Sequence, residues 1–205
     1  MIQTPRFSPQ AGIAIGPILF ILAILAIIAA YMASGNSDYQ VASGTDRINA
    51  DVTAQANLIR NAINQCNMQY SLAVSTGSVS PSTDAYPTST GSGTAVKSLT
   101  CAPMGGSSLW GATLLPPPTS GFNDWMYIDD AAAGGGRCFW TTPSSANPMS
   151  NSGIVTGLTH AAAKFNSATA YSATNEVIYN PAKASQKFTV WITMPTGTPN
   201  ANCLP

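Results

Sequence analysis

Apolar residues are distributed along this chain in three textures. The first is the run at residues 12–33 (GIAIGPILFILAILAIIAAYMA), 22 positions without a charge. Between Arg6 and Asp38 only Tyr31 is ionisable. An apolar run of roughly 18 residues or more is long enough to cross the hydrocarbon core of a bilayer as a helix. The second texture is a stripe. Val41, Ile48, Val52, Ile59, Ile63, Cys66, Tyr70 and Val74 recur at spacings of 7, 4, 7, 4, 3, 4 and 4. That rhythm puts them on one face of an α-helix, with Asp46, Arg47, Asp51, Gln55, Asn57 and Arg60 on the opposite face. Gly35-Asn36-Ser37-Asp38 between the two predicts a break or cap, with a bend there. Joined as one helix, Ile13 to Tyr70 would run on the order of 85 Å. The alternative is an ordinary surface helix docked on its own domain.

The third texture begins at Thr76. Residues 76–94 (TGSVSPSTDAYPTSTGSGT) have almost no apolar period and predict an exposed excursion. Residues 95–118 are irregular, ending in the stiff Pro116-Pro117-Pro118. Strand-like runs follow. Residues 125–128 (WMYI) and 137–142 (RCFWTT) flank a turn at AAAGGG, and residues 176–179 (EVIY) and 187–194 (KFTVWITM) form a second hairpin. Residues 153–165 read as a strand or a helix, a short helix from about Thr156 being preferred, and the tail 195–205 as a loop pinned by Cys203. The fold class is therefore α+β: a long N-terminal helix packed on a small antiparallel β-sheet head. The division is 1–12 leader, 13–34 apolar helix, 35–75 amphipathic continuation and 76–205 head.

Composition narrows the function. Only 8% of residues are charged and the formal net charge is zero, against about 25% charged in an ordinary soluble domain. That argues against nucleic acid as a partner, which requires clustered Lys and Arg. A weakly charged surface favours self-association. Four cysteines, Cys66, Cys101, Cys138 and Cys203, show no zinc-type spacing, and His160 is the only histidine. An even count beyond an apolar segment points to two disulfides in an oxidising compartment. Three connectivities stay open, the adjacent pairing 66–101 and 138–203 being preferred; four buried free thiols are the alternative. Arg6 alone on the N-terminal flank would keep that end cytoplasmic and export the remainder.

Catalytic chemistry finds little footing. There is no G-x-S-x-G elbow and no phosphate-binding loop with its lysine. His160 has no acid–nucleophile pattern around it. Asp129-Asp130 reads as the polar end of a strand entering a turn, and Trp110, Trp125, Trp140 and Trp191 as core. No enzyme activity, cofactor or metal is expected.

The layout of a half-apolar, half-amphipathic N-terminal helix, a variable loop and a β-sheet resembles the type IV pilin and pseudopilin family. Gly12 fits the residue before the leader cut and Ile13 the first mature residue. Residues 24–31 (ILAIIAAY) look like the family's Ala- and Ile-rich stretch. The resemblance implies a subunit held in the inner membrane, cut by a prepilin peptidase, and polymerised with copies of itself by an assembly machinery into an extracellular filament. Gly16, Pro17, Phe20, Leu25 and Tyr31 would then lie on the assembly helix. One position departs from the family: Pro17 stands where a glutamate is usual, five residues into the mature chain. Pro is tolerated in a first helical turn, which sets the helix start near Gly16. Gly12 and Gly16 also form a G-x-x-x-G pair of the kind that lets apolar helices approach closely. Two other classes compete. One is a membrane-anchored extracytoplasmic binding module or adhesin that does not polymerise. The other is a secreted enzyme released at the small residues Ala29, Ala30, Ala33 and Ser34.

Overall fold

The computed structural model describes residues 15–77, 84–110 and 115–205; within the first range, side chains are described at 21–26, 41–70 and 72–77. The chain divides into two compact units, Met1–Ala42 and Ser43–Pro205. Helix α1, Ile15–Ser75, carries no interruption at residues 35–38, where the sequence predicts a break or cap. Gly12 and Ile13 lie outside the described residues. Gly16, Pro17, Phe20 and Tyr31 are helix backbone only, and the Leu25 side chain is exposed.

In the second unit the stripe on α1 is buried from Val52 through Ala56, Ile59 and Ile63 to Cys66. Its C-terminal end is not: Tyr70 and Val74 are half-buried, with Ala73 taking the buried position instead, and Val41, in the first unit, is exposed. Gln55, which the pattern places on the polar face, is buried.

The head contains a six-stranded sheet. Its strands are β1 Thr94–Ala95, β4 Met126–Asp130, β5 Gly136–Thr141, β8 Phe188–Thr193, β7 Val177–Tyr179 and β6 Ser167–Ala168, in that spatial order. A separate two-stranded ribbon joins β2 Thr100–Cys101 to β3 Ser107–Ser108. Hairpins β4–β5 and β7–β8 lie side by side because β8 also pairs with β5. The sheet is mixed rather than wholly antiparallel, since β6 runs parallel to β7. Loop 169–176 carries the chain from the C-terminal end of β6 back to the opposite end of the sheet, where β7 begins, so the two strands run in one direction.

Period-two alternation gives the sheet two apolar faces. Tyr127, Phe139, Val177, Tyr179, Phe188 and Val190 face α1 and helix α2, Ser152–Ala163. Ile128, Cys138, Trp140, Ile178 and Trp191 face the other way, under the tail with Cys203 and Leu204. Helix α2 starts four residues before Thr156 because Asn151 Oδ1 accepts from Ile154 N at 3.2 Å, an N-cap. It approaches α1 closely at Gly157, where a Cβ would sit 2.8 Å from Ile48 Cγ2.

The disulfides pair Cys66 with Cys101 and Cys138 with Cys203. The first ties α1 to β2; the second ties β5 to the tail. All four cysteines are fully buried. The segment 76–94 is not a free excursion in its described part. Pro87 is buried, Ser89 Oγ accepts from Asp129 N at 2.7 Å, and the segment ends as strand β1.

Candidate functional site

Two surfaces of α1 are apolar and uncovered. In the first unit, Ile21, Leu22, Ile24 and Leu25 are between 41% and 57% exposed, and the intervening and following alanines are exposed too. Six consecutive helical positions cover every direction around the axis. No face of this stretch is turned into a core. In the second unit, the side of α1 turned away from the sheet carries Leu58, Met68 and Leu72, which are 42%, 73% and 58% exposed. Asn61 and Gln65 lie between them, and no charged residue occurs between Arg60 and Asp84. Surface helices ordinarily put charge on that side. Upstream, the Arg47–Asp51 pair at 3.5 Å supplies charge to α1. A groove of about 340 Å³ beside Leu58, Asn61, Gln65 and Trp110 is lined without a single charge.

The residues weighed for chemistry are dispersed. His160 is exposed on α2. Trp125, Trp140 and Trp191 are buried; Trp110 is half-buried and donates from Nε1 to Val96 O at 2.8 Å. Asp129 and Asp130 are already engaged. Asp130 Oδ2 accepts from Asn200 Nδ2 at 2.8 Å, which docks the tail on the turn after β4. Asp129 Oδ2 pairs with Arg137 Nε at 2.9 Å across the β4–β5 register. Burial raises the Asp129 carboxyl above the usual range against the lowering pull of Arg137. Among the described residues, no group of His, Cys, Asp and Glu side chains could hold a metal ion.

Arg137 is the residue that sequence reading passed over. Besides Asp129, its Nη2 reaches Asp84 Oδ1 at 3.4 Å, and its guanidinium lies 4.2 Å from the Tyr86 ring centroid. In a chain this poor in charge, an arginine inside a strand is itself the signal that it has partners. Arg60, expected on the polar face of α1, is likewise engaged. It pairs with Glu176 at 3.3 Å and stacks 5.3 Å from the Phe165 ring centroid.

Among the described residues, no helix is long and apolar enough to cross a membrane; most side chains of the charge-free run 12–33 lie outside that set. No protein-family model, curated protein or solved structure matches the chain.

Proposed function

We propose that this chain is a structural subunit of a pilus-like extracellular filament. It is held in the inner membrane by residues 13–34 and polymerises with copies of itself through that helix. The observation that carries the reading is the all-round exposure of side chains 21–26. A helix apolar on every face requires an apolar surrounding, and both lipid and the helices of other copies supply one. Moving from the first to the second costs little, because an Ile/Leu/Ala surface is equally apolar against either. The uncharged ridge of Leu58, Met68 and Leu72 is a second apolar strip for subunit packing. The two disulfides, in turn, suit a head exported to an oxidising compartment. The head acts as a scaffold without catalysis or cofactor. Cleavage after Gly12 would expose Ile13 as the mature N-terminus.

N-terminal sequencing of the membrane-extracted protein, followed by negative-stain imaging of sheared cell surfaces, tests this. A start at Ile13 together with filaments that vanish when the chain is deleted supports the proposal. A start near Ser34 overturns it. The second reading is an anchored binding module that does not polymerise. It is favoured by Pro17 standing where the family has its glutamate, and it would show an intact Met1 and no filaments.

A further inference from the structure

We propose that residues 84–93 form an ionic strap that closes the outer edge of β4, with Arg137 as its anchor. The need for a strap arises from the sheet order. β4 is flanked by β5 on one side and on the other by β1, which pairs only with Tyr127 and Met126. Ile128, Asp129 and Asp130 therefore have no strand partner on that side. An open edge presents unpaired backbone groups to any other extended chain, and folded proteins cover such edges.

Here the cover is residues 84–93. Ser89 contributes a side-chain oxygen where a neighbouring strand would contribute a carbonyl, accepting from Asp129 N at 2.7 Å. The strap's start is fixed by Arg137, which holds Asp84 at 3.4 Å and carries Tyr86 stacked on its guanidinium. Asp129, opposite Arg137 in the register, thus takes part in both fixings: its backbone holds Ser89 and its carboxylate holds Arg137. At the far end Gly93, with φ of 92°, closes a turn by donating to Thr90 O at 2.9 Å and leaves the Trp140 ring where a side chain would go. Pro87 is the only buried residue of 84–93. Besides the ion pair, the stacking and the Ser89 hydroxyl, Asn202 Nδ2 donates to Gly91 O at 3.4 Å, and the strap's apolar packing is confined to Pro87 and the half-buried Tyr86. Segments with few buried apolar contacts open independently of the rest of a domain.

Amide hydrogen exchange on the full-length protein in detergent micelles tests this, comparing wild type with the double variant Asp84→Asn/Tyr86→Ala. Both substitutions touch only the strap's start. The expected result is a rise of about tenfold or more in exchange at the Asp129 and Gly93 amides together, with Ile59 and Ile63 in α1 unchanged. Ser89→Ala should raise exchange at Asp129 alone, since the anchor remains. Unchanged Asp129 exchange in the double variant would overturn the proposal. So would a rise at Asp129 without Gly93, or an equal rise in α1.

Discussion

Gln55 Oε1 accepts a 2.7 Å hydrogen bond from the Trp125 indole Nε1, joining α1 to the residue that precedes β4. The same amide donates from Nε2 to Pro117 O at 2.7 Å. One side chain thus satisfies a buried indole donor and the carbonyl of the polyproline segment. Gln55→Ala strands the buried indole N–H, at about 1–3 kcal/mol, and leaves the carbonyl of the exposed Pro117 to water. Thermal unfolding should fall by about 2–4 °C per kcal/mol lost. An unchanged midpoint would show that the pair contributes nothing.

Gly157 is the second point of close approach. An added Cβ would meet Ile48 Cγ2 at 2.8 Å and Thr45 O at 3.0 Å. Because Thr45 O is backbone, rotation of the Ile48 side chain cannot clear the space alone. Gly157→Ala should destabilise by about 1–3 kcal/mol through overpacking, despite alanine's better helix propensity. Equilibrium denaturation measures this; a stabilised variant would mean that α2 shifts freely on α1.

The disulfides close segments of different length, with sequence separations of 35 and 65. The chain-entropy estimate is about 4 kcal/mol for each. Removing Cys138–Cys203 as paired alanines should cost less than that estimate, because the tail keeps other holds. Lys187 Nζ donates to Leu204 O at 2.6 Å, Asn200 N to Gly135 O at 3.1 Å, and Thr196 N to Gly134 O at 3.1 Å. Cys66→Ala/Cys101→Ala, which frees β2 from α1, should cost more. Denaturant midpoints of the two double variants decide the order, and the reverse ranking would contradict this account of the tail.

Legibility in the sequence followed the length of the periodic signal. β4, β5, β7 and β8 alternate over enough residues to be read, and their boundaries fall within a few positions of the pattern. Two-residue strands such as β1 and β6 carry no period at all, so neither the six-strand count nor the parallel β6–β7 pair was readable. Gln55 was misplaced because a helical wheel sorts residues by polarity, whereas the site needed a bifunctional amide to serve Trp125 and Pro117. The strap was hidden for a different reason. Asp84 and Arg137 lie 53 positions apart, and nothing local links a Ser/Thr-rich loop to a strand arginine. Of the candidate assembly surface, the apolar run was evident at once. The uncharged ridge at Leu58, Met68 and Leu72 was not, because three residues spread over fifteen positions make too sparse a pattern to stand out beside the main stripe.

Alkaline pH should loosen the head through its buried tyrosines. Burial pushes the Tyr179 hydroxyl up to about 12, and it pushes Tyr127 further, with Asp129 adding to the rise. Unfolded tyrosine ionises near pH 10. A hydroxyl whose folded value is raised contributes stability that is fully present below about pH 10 and is lost as pH climbs towards about 12. For Tyr179 the two-unit interval corresponds to about 2–3 kcal/mol. Its hydroxyl also donates to Gln186 Oε1 and approaches Val155 O at 3.2 Å. Tyr179→Phe should therefore be less stable at neutral pH and lose less above pH 10, so that the two stability curves converge. Parallel curves across that range would refute the assignment.

Leu25 separates the proposed assembly helix from a merely solvent-facing one. Its side chain is 56% exposed, as are its apolar neighbours to similar degrees. If water is its true surrounding, Leu25→Asp is nearly neutral or improves solubility. If lipid or the helices of other copies surround it, the substitution places a carboxylate in hydrocarbon, at about 2.5–3.5 kcal/mol on an insertion scale. A lone aspartate in a packed apolar filament core would cost at least as much, because no partner charge is at hand. The expected outcome is loss of membrane retention and of filaments. Both disulfides should still form, since Cys66, Cys101, Cys138 and Cys203 all belong to the other unit. Leu25→Ile preserves the apolar surface and should leave both properties intact. Non-reducing gels report the disulfides, and membrane fractionation with negative-stain imaging reports the rest. Wild-type retention and filament yield in Leu25→Asp would remove the basis for an assembly role of this helix.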